Sequence, residues 1–158
     1  IIDLMDFLFG KPEKVLGSLL NKVYSESVED IMNVQLRYAN SMTADIHVNW
    51  SDFTYRKSMM KLDIHGKKGK ILADLYGYKV YLREANEVVG LPEGWTSVSV
   101  KMIPDPAPFY VRGTNFTNQL YEFLNAIVES RNTGGCTFRS AVDTQEVIHC
   151  IFDNNKKA

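Results

Sequence analysis

The stretch EDIMNVQLRYANSMTADIHVNW, residues 29–50, decides the fold. Met32, Val34, Leu36 and Tyr38 alternate with Asn33, Gln35 and Arg37. Past the turn ANSMT, Ile46, Val48 and Trp50 alternate with His47 and Asn49. A period of two puts one apolar and one polar face on each strand, so the segment reads as a half-buried β-hairpin.

The same device returns downstream in SMMKLDIHGKKGKILADL, residues 58–75, where Met60, Leu62 and Ile64 alternate with Lys61, Asp63 and His65. GKKG is the turn, and YKVYLRE and SVSVKM add two short strands. EANEVVGLPEGW between them is a loop by its Gly and Pro content. Upstream, KVLGSLLNKVYSES reads as a strand with a polar end. Before it, Ile1, Leu4, Met5, Leu8 and Phe9 recur at helical spacing until Gly10 and Pro12 stop them.

IPDPAPFYVRGTN, residues 103–115, holds three prolines and reads as an extended crossing segment. Two helices follow. Asn115 or Thr117 caps the first, whose apolar stripe is Phe116, Leu120, Phe123, Leu124 and Ile127. The second runs from about Ser140, with Asp143 near its positive end, through Val147, Ile148, Ile151 and Phe152. Strands and helices are segregated along the chain, which means α+β: a mostly antiparallel, open-faced sheet with helices packed on one face.

The 158 residues suit a single domain that needs no disulfide or metal to hold its core. A net charge of −1 and a pI near 6.3 argue against nucleic acid or an anionic membrane as partner. The apolar runs are too short to span a bilayer. Two thiols, Cys136 and Cys150, without metal-ligand spacing suit a reducing interior.

No catalytic set is legible. The sequence lacks a GxGxxG or Walker loop and a GxSxG elbow. His47, His65 and His149 fall on different elements, and no metal site is expected. His47 and His65 read as polar-face residues, and His149 as a partner for the helix dipole. Cys136 has no identifiable His partner, so a structural thiol is expected. Asp3 and Asp6 share one helix and read as solvated groups or an internal cap. No catalytic or cofactor-binding residue is assigned.

These pieces, in this order, resemble the C-terminal domain of the glucose–fructose oxidoreductase and inositol dehydrogenase family (Gfo/Idh/MocA), a fold shared with glyceraldehyde-3-phosphate-dehydrogenase-like enzymes. IIDLMDFLFGKPEKV is similar to the helix and strand that follow that family's catalytic histidine. SVEDIMNVQLRYANSMTADIHVNW resembles its E-D-T…N-G hairpin, with Ser41 where the family often has Gly. KLDIHGKKGKI is similar to its I-x-G-x-x-G hairpin. TNFTNQLYEFLNAIVESR and SAVDTQEVIHCIFDN resemble its closing helices.

The resemblance implies a parent that moves hydride between NAD or NADP and a sugar, polyol or related hydroxyl or carbonyl substrate. The family's Rossmann domain, catalytic lysine and catalytic histidine have no counterpart in residues 1–158. The chain also opens on an apolar helical repeat with no cap ahead of it. The expectation is therefore a piece of a longer protein, inactive by itself and without bound cofactor. It would act as the substrate-side and oligomerisation domain. Pocket contacts are expected from Trp50, Tyr110, Arg112 and Asn115, with solvation and capping as the competing reading of Arg112 and Asn115. A homodimer, or a dimer of dimers, is expected through the open sheet face of Asn33, Gln35, Arg37, His47, Asn49, Lys61, Asp63 and His65. Localisation is expected to be cytoplasmic. The alternatives are a non-enzymatic ligand-binding or scaffold module, and a homologue that kept the fold and lost catalysis.

Overall fold

The computed structural model describes residues 1–56, 58–103, 106–111, 113–132 and 137–157. It contains α1 (Ile2–Phe9), β1 (Lys14–Asn21), β2 (Ile31–Arg37), β3 (Thr43–Asn49), β4 (Lys61–Gly66), β5 (Gly69–Asp74), β6 (Gly77–Leu82), β7 (Gly94–Ser99), α2 (Gly113–Val128) and α3 (Phe138–Asn155). All strand pairs are antiparallel, so the α+β reading holds. The strands divide between two sheets, ordered β1-β2-β3 and β4-β5-β6-β7. They lie in two compact units: Ile1–Phe53 with Glu122–Ala158, and Thr54–Tyr121.

In the first unit, Ser18, Val34 and Ile46 stand opposite one another across three strands, and all are buried. Leu36 and Tyr38 extend this core, as do Ile2 and Met5 from α1 and Val147 and Ile151 from α3. Phe9 meets Tyr38 edge to face, with ring centroids 6.1 Å apart. Polar bonds fix how α3 lies on edge strand β1. The Ser18 hydroxyl donates to the Ile151 carbonyl at 2.7 Å, and the Leu20 amide donates to Asn155 Oδ1 at 2.9 Å. The second bond satisfies an edge-strand donor that would otherwise invite pairing.

Helix ends follow local chemistry. Gly10 closes α1 at φ 78°. Thr137 and Ser140 form a reciprocal capping box at the start of α3, slightly earlier than the sequence suggested. The β2–β3 turn runs through a short 3₁₀ segment, Ala39–Ser41, in which Asn40 and Ser41 have φ of 59° and 61°. Ser41 thus adopts the backbone that glycine takes most readily.

In the second unit four strands run as two hairpins in one meander. Strand β7 starts earlier than expected, at Gly94. Trp95 is therefore a strand residue, and Val100–Met102 is a 3₁₀ turn. One face carries Leu62, Ile64, Ile71, Ala73, Tyr78, Val80 and Val98, of which Val80 is buried.

Helix α2 begins at Gly113, so Asn115 and Thr117 lie inside it and are not its N-cap. Its stripe has the expected spacing but stays open: Phe116, Leu120, Phe123, Leu124 and Ile127 are all exposed. Periodicity specifies which residues share a face, and only a docked neighbour buries them.

Candidate functional site

The segment leading into α2 is held by one side chain. Thr117 is completely buried. Its hydroxyl donates to the Gly113 carbonyl at 2.8 Å and accepts from the Val111 amide at 3.1 Å. Phe109 packs edge to face on Tyr121 at 5.9 Å. Between these anchors Tyr110 stands 74% exposed, and Asn115 is exposed on the first turn of the helix. Arg112 lies outside the described residues. An exposed aromatic ring can stack on a hydroxylated ligand, and an exposed amide can hydrogen-bond one. Thr117 was read from sequence only as an alternative cap. Its bond from the Val111 amide joins residues six apart, a pairing that local sequence does not specify.

Trp50 belongs to the other unit and follows β3. Its amide donates to the Asp30 carbonyl at 3.2 Å, and its indole N–H donates to the Glu29 carbonyl at 3.2 Å. The ring stays 72% exposed. The neighbouring loop is organised by Asp30, whose buried carboxylate accepts amides from Val23 at 2.9 Å and from Tyr24 and Ser25 at 2.7 Å. Burial pushes this carboxyl up, but the amides of Val23, Tyr24, Ser25 and Asp30 itself outweigh that and hold it below the usual range. Asp30 escaped the sequence reading, although an acidic residue at the entry to a strand is a fair signal for loop closure.

The polar face of the first sheet carries Asn33, Gln35, Arg37, His47 and Asn49, as expected from alternation. Asn33 stands opposite His47, and its Oδ1 lies 2.8 Å from His47 Nδ1. Leu16 and Leu19 are also exposed on β1. Lys61, Asp63 and His65 are exposed too, but they lie on β4 in the second sheet. The expected single polar face is therefore shared between two sheets.

Asp3 and Asp6 link two helices. The Thr144 hydroxyl on α3 donates to Asp3 Oδ1 at 3.3 Å and to Asp6 Oδ2 at 3.4 Å. Lys11 adds ion pairs to Asp143 and Glu146. Burial raises the Asp6 pKa, opposed by the Thr144 bond and helped by the charge of Asp3. The Tyr38 phenol is pushed up to about 12 by burial and then by the Asp6 charge. Asp6 Oδ1 and Tyr38 Oη are both buried without a hydrogen-bond partner among the described residues. Of the remaining sequence candidates, His149 pairs with Asp153 at 3.3 Å, and Cys150 is an exposed free thiol. Cys136 lies outside the described residues. No group of three metal-ligating side chains occurs among the described residues. No helix among them is long and apolar enough to cross a membrane.

Residues 1–72 match the model of the GFO/IDH/MocA C-terminal domain. The fold resembles a levoglucosan dehydrogenase solved with NADH, at 17% identity and a TM-score of 0.76, covering 99% of this chain and 46% of that one. It also resembles a UDP-N-acetylglucosamine 3-dehydrogenase from Acidithiobacillus ferrooxidans, at 14% identity and a TM-score of 0.66, covering 98% and 44%. A third is the WlbA dehydrogenase from Bordetella pertussis, solved with NADH and UDP-GlcNAcA, at 18% identity and a TM-score of 0.58, covering 99% and 43%. The chain thus spans somewhat under half the length of these proteins. A search of curated proteins returned no match. The match to the GFO/IDH/MocA C-terminal domain thus covers the first 72 residues, and the likeness of fold to these dehydrogenases extends along almost the whole chain.

Proposed function

We propose that this chain is the substrate-side and oligomerisation domain of an NAD(P)-dependent oxidoreductase acting on a sugar, a polyol or a related hydroxyl or carbonyl compound. The observation that carries the reading is the fold shared with a levoglucosan dehydrogenase over 99% of this chain, together with the family match over residues 1–72. The structural relatives named above are dehydrogenases, and two were solved with NADH. In such a protein the nicotinamide supplies the hydride chemistry. Residues 1–158 contain no Gly-rich phosphate loop, so they do not fit the role of holding the dinucleotide. Their part is to orient the substrate. In the first unit the exposed ring of Trp50 offers an apolar face to a sugar; in the second, taken by itself, Tyr110 offers a ring and Asn115 an amide donor and acceptor. Arg112, outside the described residues, is proposed for this role on its chemistry alone, since a guanidinium is a donor fork suited to a hydroxylated or acidic substrate.

The second part of the proposal is association through the polar sheet faces. Asn33, Gln35, Arg37, His47 and Asn49 would act on the first sheet, and Lys61, Asp63 and His65 on the second. Mixed donors, acceptors and both charge signs can complement themselves about a two-fold axis. The partner is a second copy, giving a homodimer or a dimer of dimers, and the compartment is the cytoplasm.

The test is turnover. The full-length protein, assayed against a panel of aldoses, polyols and sugar nucleotides, should reduce NAD or NADP with at least one of them. Arg112→Ala should raise KM, lower kcat, or both. Residues 1–158 alone should leave NADH fluorescence unchanged at micromolar concentration. An intact protein with no NAD(P)-linked turnover would favour a binding or scaffold module. A micromolar dissociation constant for NADH on residues 1–158 (about −8 kcal/mol) would show that the cofactor role had been misplaced.

A further inference from the structure

Two loops of the first unit carry rings that its core does not use. Loop 22–30 joins β1 to β2, and residues 50–53 follow β3. Tyr24, Trp50 and Phe53 stand 54%, 72% and 86% exposed there, although contacts tie all three down. The Asp30 carboxylate accepts the Tyr24 amide at 2.7 Å. The Trp50 indole donates to the carbonyl of Glu29, and the Trp50 amide donates to that of Asp30. Phe53 packs edge to face on Tyr24, with ring centroids 6.4 Å apart and planes at 79°. The three rings are thus tethered, directly or through one another, to residues 29 and 30. Trp50 and Phe53 are three residues apart, so their Cα atoms are separated by at most about 11 Å. Val23 and Val28 are exposed in the same loop. Large apolar side chains held in place and left in water are the mark of a binding surface.

We propose that Tyr24, Trp50 and Phe53 form a stacking platform for a neutral glycan of two or more rings, one ring on the Trp50 indole and the next against Phe53 and Tyr24. The proposal rests on the reading of Trp50 as a sugar-facing residue, and adds the second ring and the charge of the ligand. Shape argues for more than one ring. The C–H faces of a pyranose stack on an aromatic face, and two separate aromatic surfaces suit two linked sugars. Tethering argues the same way, because rings already fixed lose little entropy on binding and weak stacking is not cancelled. Charge argues for a neutral ligand. Loop 22–30 carries Glu26, Glu29 and Asp30 against Lys22 alone, so a sugar nucleotide would bring its pyrophosphate against like charge. Sugar hydroxyls meet acceptors there instead, since Glu26 is exposed.

The experiment is titration calorimetry on the full chain with glucose, maltose, cellobiose and UDP-glucose. At least one disaccharide should bind about tenfold tighter than glucose, equivalent to ~1.4 kcal/mol and the size of one added stacking contact. UDP-glucose should bind no tighter than glucose. Phe53→Ala should bring that disaccharide down to the level of glucose and leave glucose unchanged, and Tyr24→Ala should act in the same direction. Trp95→Phe leaves Trp50 as the sole indole, and its emission should change as the disaccharide binds, with circular dichroism verifying the fold. Equal affinities for glucose and both disaccharides, or wild-type disaccharide affinity in Phe53→Ala, overturn the platform and leave Trp50 as a single-ring contact. Tighter binding of UDP-glucose than of either disaccharide overturns the neutral ligand. No heat from any sugar, with a Trp50 emission that none of them changes, overturns the platform and the sugar-facing role of Trp50 together. NAD(P)-linked turnover by the full-length protein is a separate readout, so the failure of that reading is told apart. A Trp50 emission that shifts with protein concentration in the absence of sugar assigns the rings to a contact between copies and likewise overturns the proposal.

Discussion

The two sheets are built from the same kind of hairpin and end in different states. In the first, Val34, Leu36 and Ile46 retain 3%, 0% and 7% of their exposure, because α1 and α3 bring Ile2, Met5, Val147 and Ile151 into the same core. In the second, Ile71 and Tyr78 on the apolar face each keep 37%. Alternation makes an amphipathic sheet in both cases, and cover makes a core in only one. A sheet face contributes its hydrophobic free energy when water leaves it, so similar patterns can differ severalfold in what they stabilise.

Truncation in the covered core is expected to break this comparison most sharply. Leu36→Ala should cost about 2–5 kcal/mol, the range for a sealed leucine, whereas Ile71→Ala should cost about 1 kcal/mol because that side chain is only partly removed from water. Denaturant midpoints of the two variants measure the gap, and equal losses would mean that the second sheet is also sealed. Next in size is the backbone. A Cβ on Gly77 would lie 2.2 Å from the Val98 carbonyl oxygen, while one on Gly17 would meet open space. Gly77→Ala should cost about 1–3 kcal/mol and loosen the β6–β7 ladder. Gly17→Ala should stay within about 0.5 kcal/mol of the wild type. Amide exchange in β6 and β7 separates the two.

The smallest expected effect concerns pH, and it sharpens the picture of the covered unit. The folded pKa of Asp30 is depressed. Its contribution is therefore present above the usual carboxylate range and is lost as pH falls through the lowered value. Asp6 has the opposite sign. Its raised pKa favours the fold while the group is protonated, and that advantage fades as pH rises through the raised value. Asp30→Asn should thus flatten the acid limb of a melting-temperature profile and lower stability at neutral pH. Asp6→Asn should be neutral or slightly stabilising at pH 7. Identical pH profiles for both variants would show that neither carboxylate acts as described.

Sequence was most informative where one period ruled. The β2–β3 hairpin lies where residues 29–50 put it, with Asn33, Gln35, Arg37 and His47 exposed and Val34, Leu36 and Ile46 buried. The start of β7 was less legible. Gly94 and Trp95 follow a Pro-containing loop, and local chemistry cannot tell that Trp95 pairs with Tyr81 across a strand. Asp30 and Thr144 were missed, and Thr117 was read only as a cap, for a related reason. Each acts through partners that the chain delivers only after folding, and a lone acidic or hydroxyl residue has the same local signature whether solvated or buried.

Residue order by itself determined the antiparallel strands, the helical stop at Gly10, the polar and apolar faces, and the lack of a dinucleotide loop. These follow from backbone sterics and from periods of 2 and 3.6 acting over a few residues. Tertiary structure alone decided that the strands split into two sheets and that α1 and α3 seal the first. It also decided that the stripe of α2 stays open and that Trp95 stands beside Tyr81 on a polar face. Those outcomes depend on which surfaces meet, and the free energy of burial belongs to the pair of surfaces in contact, which no single segment encodes.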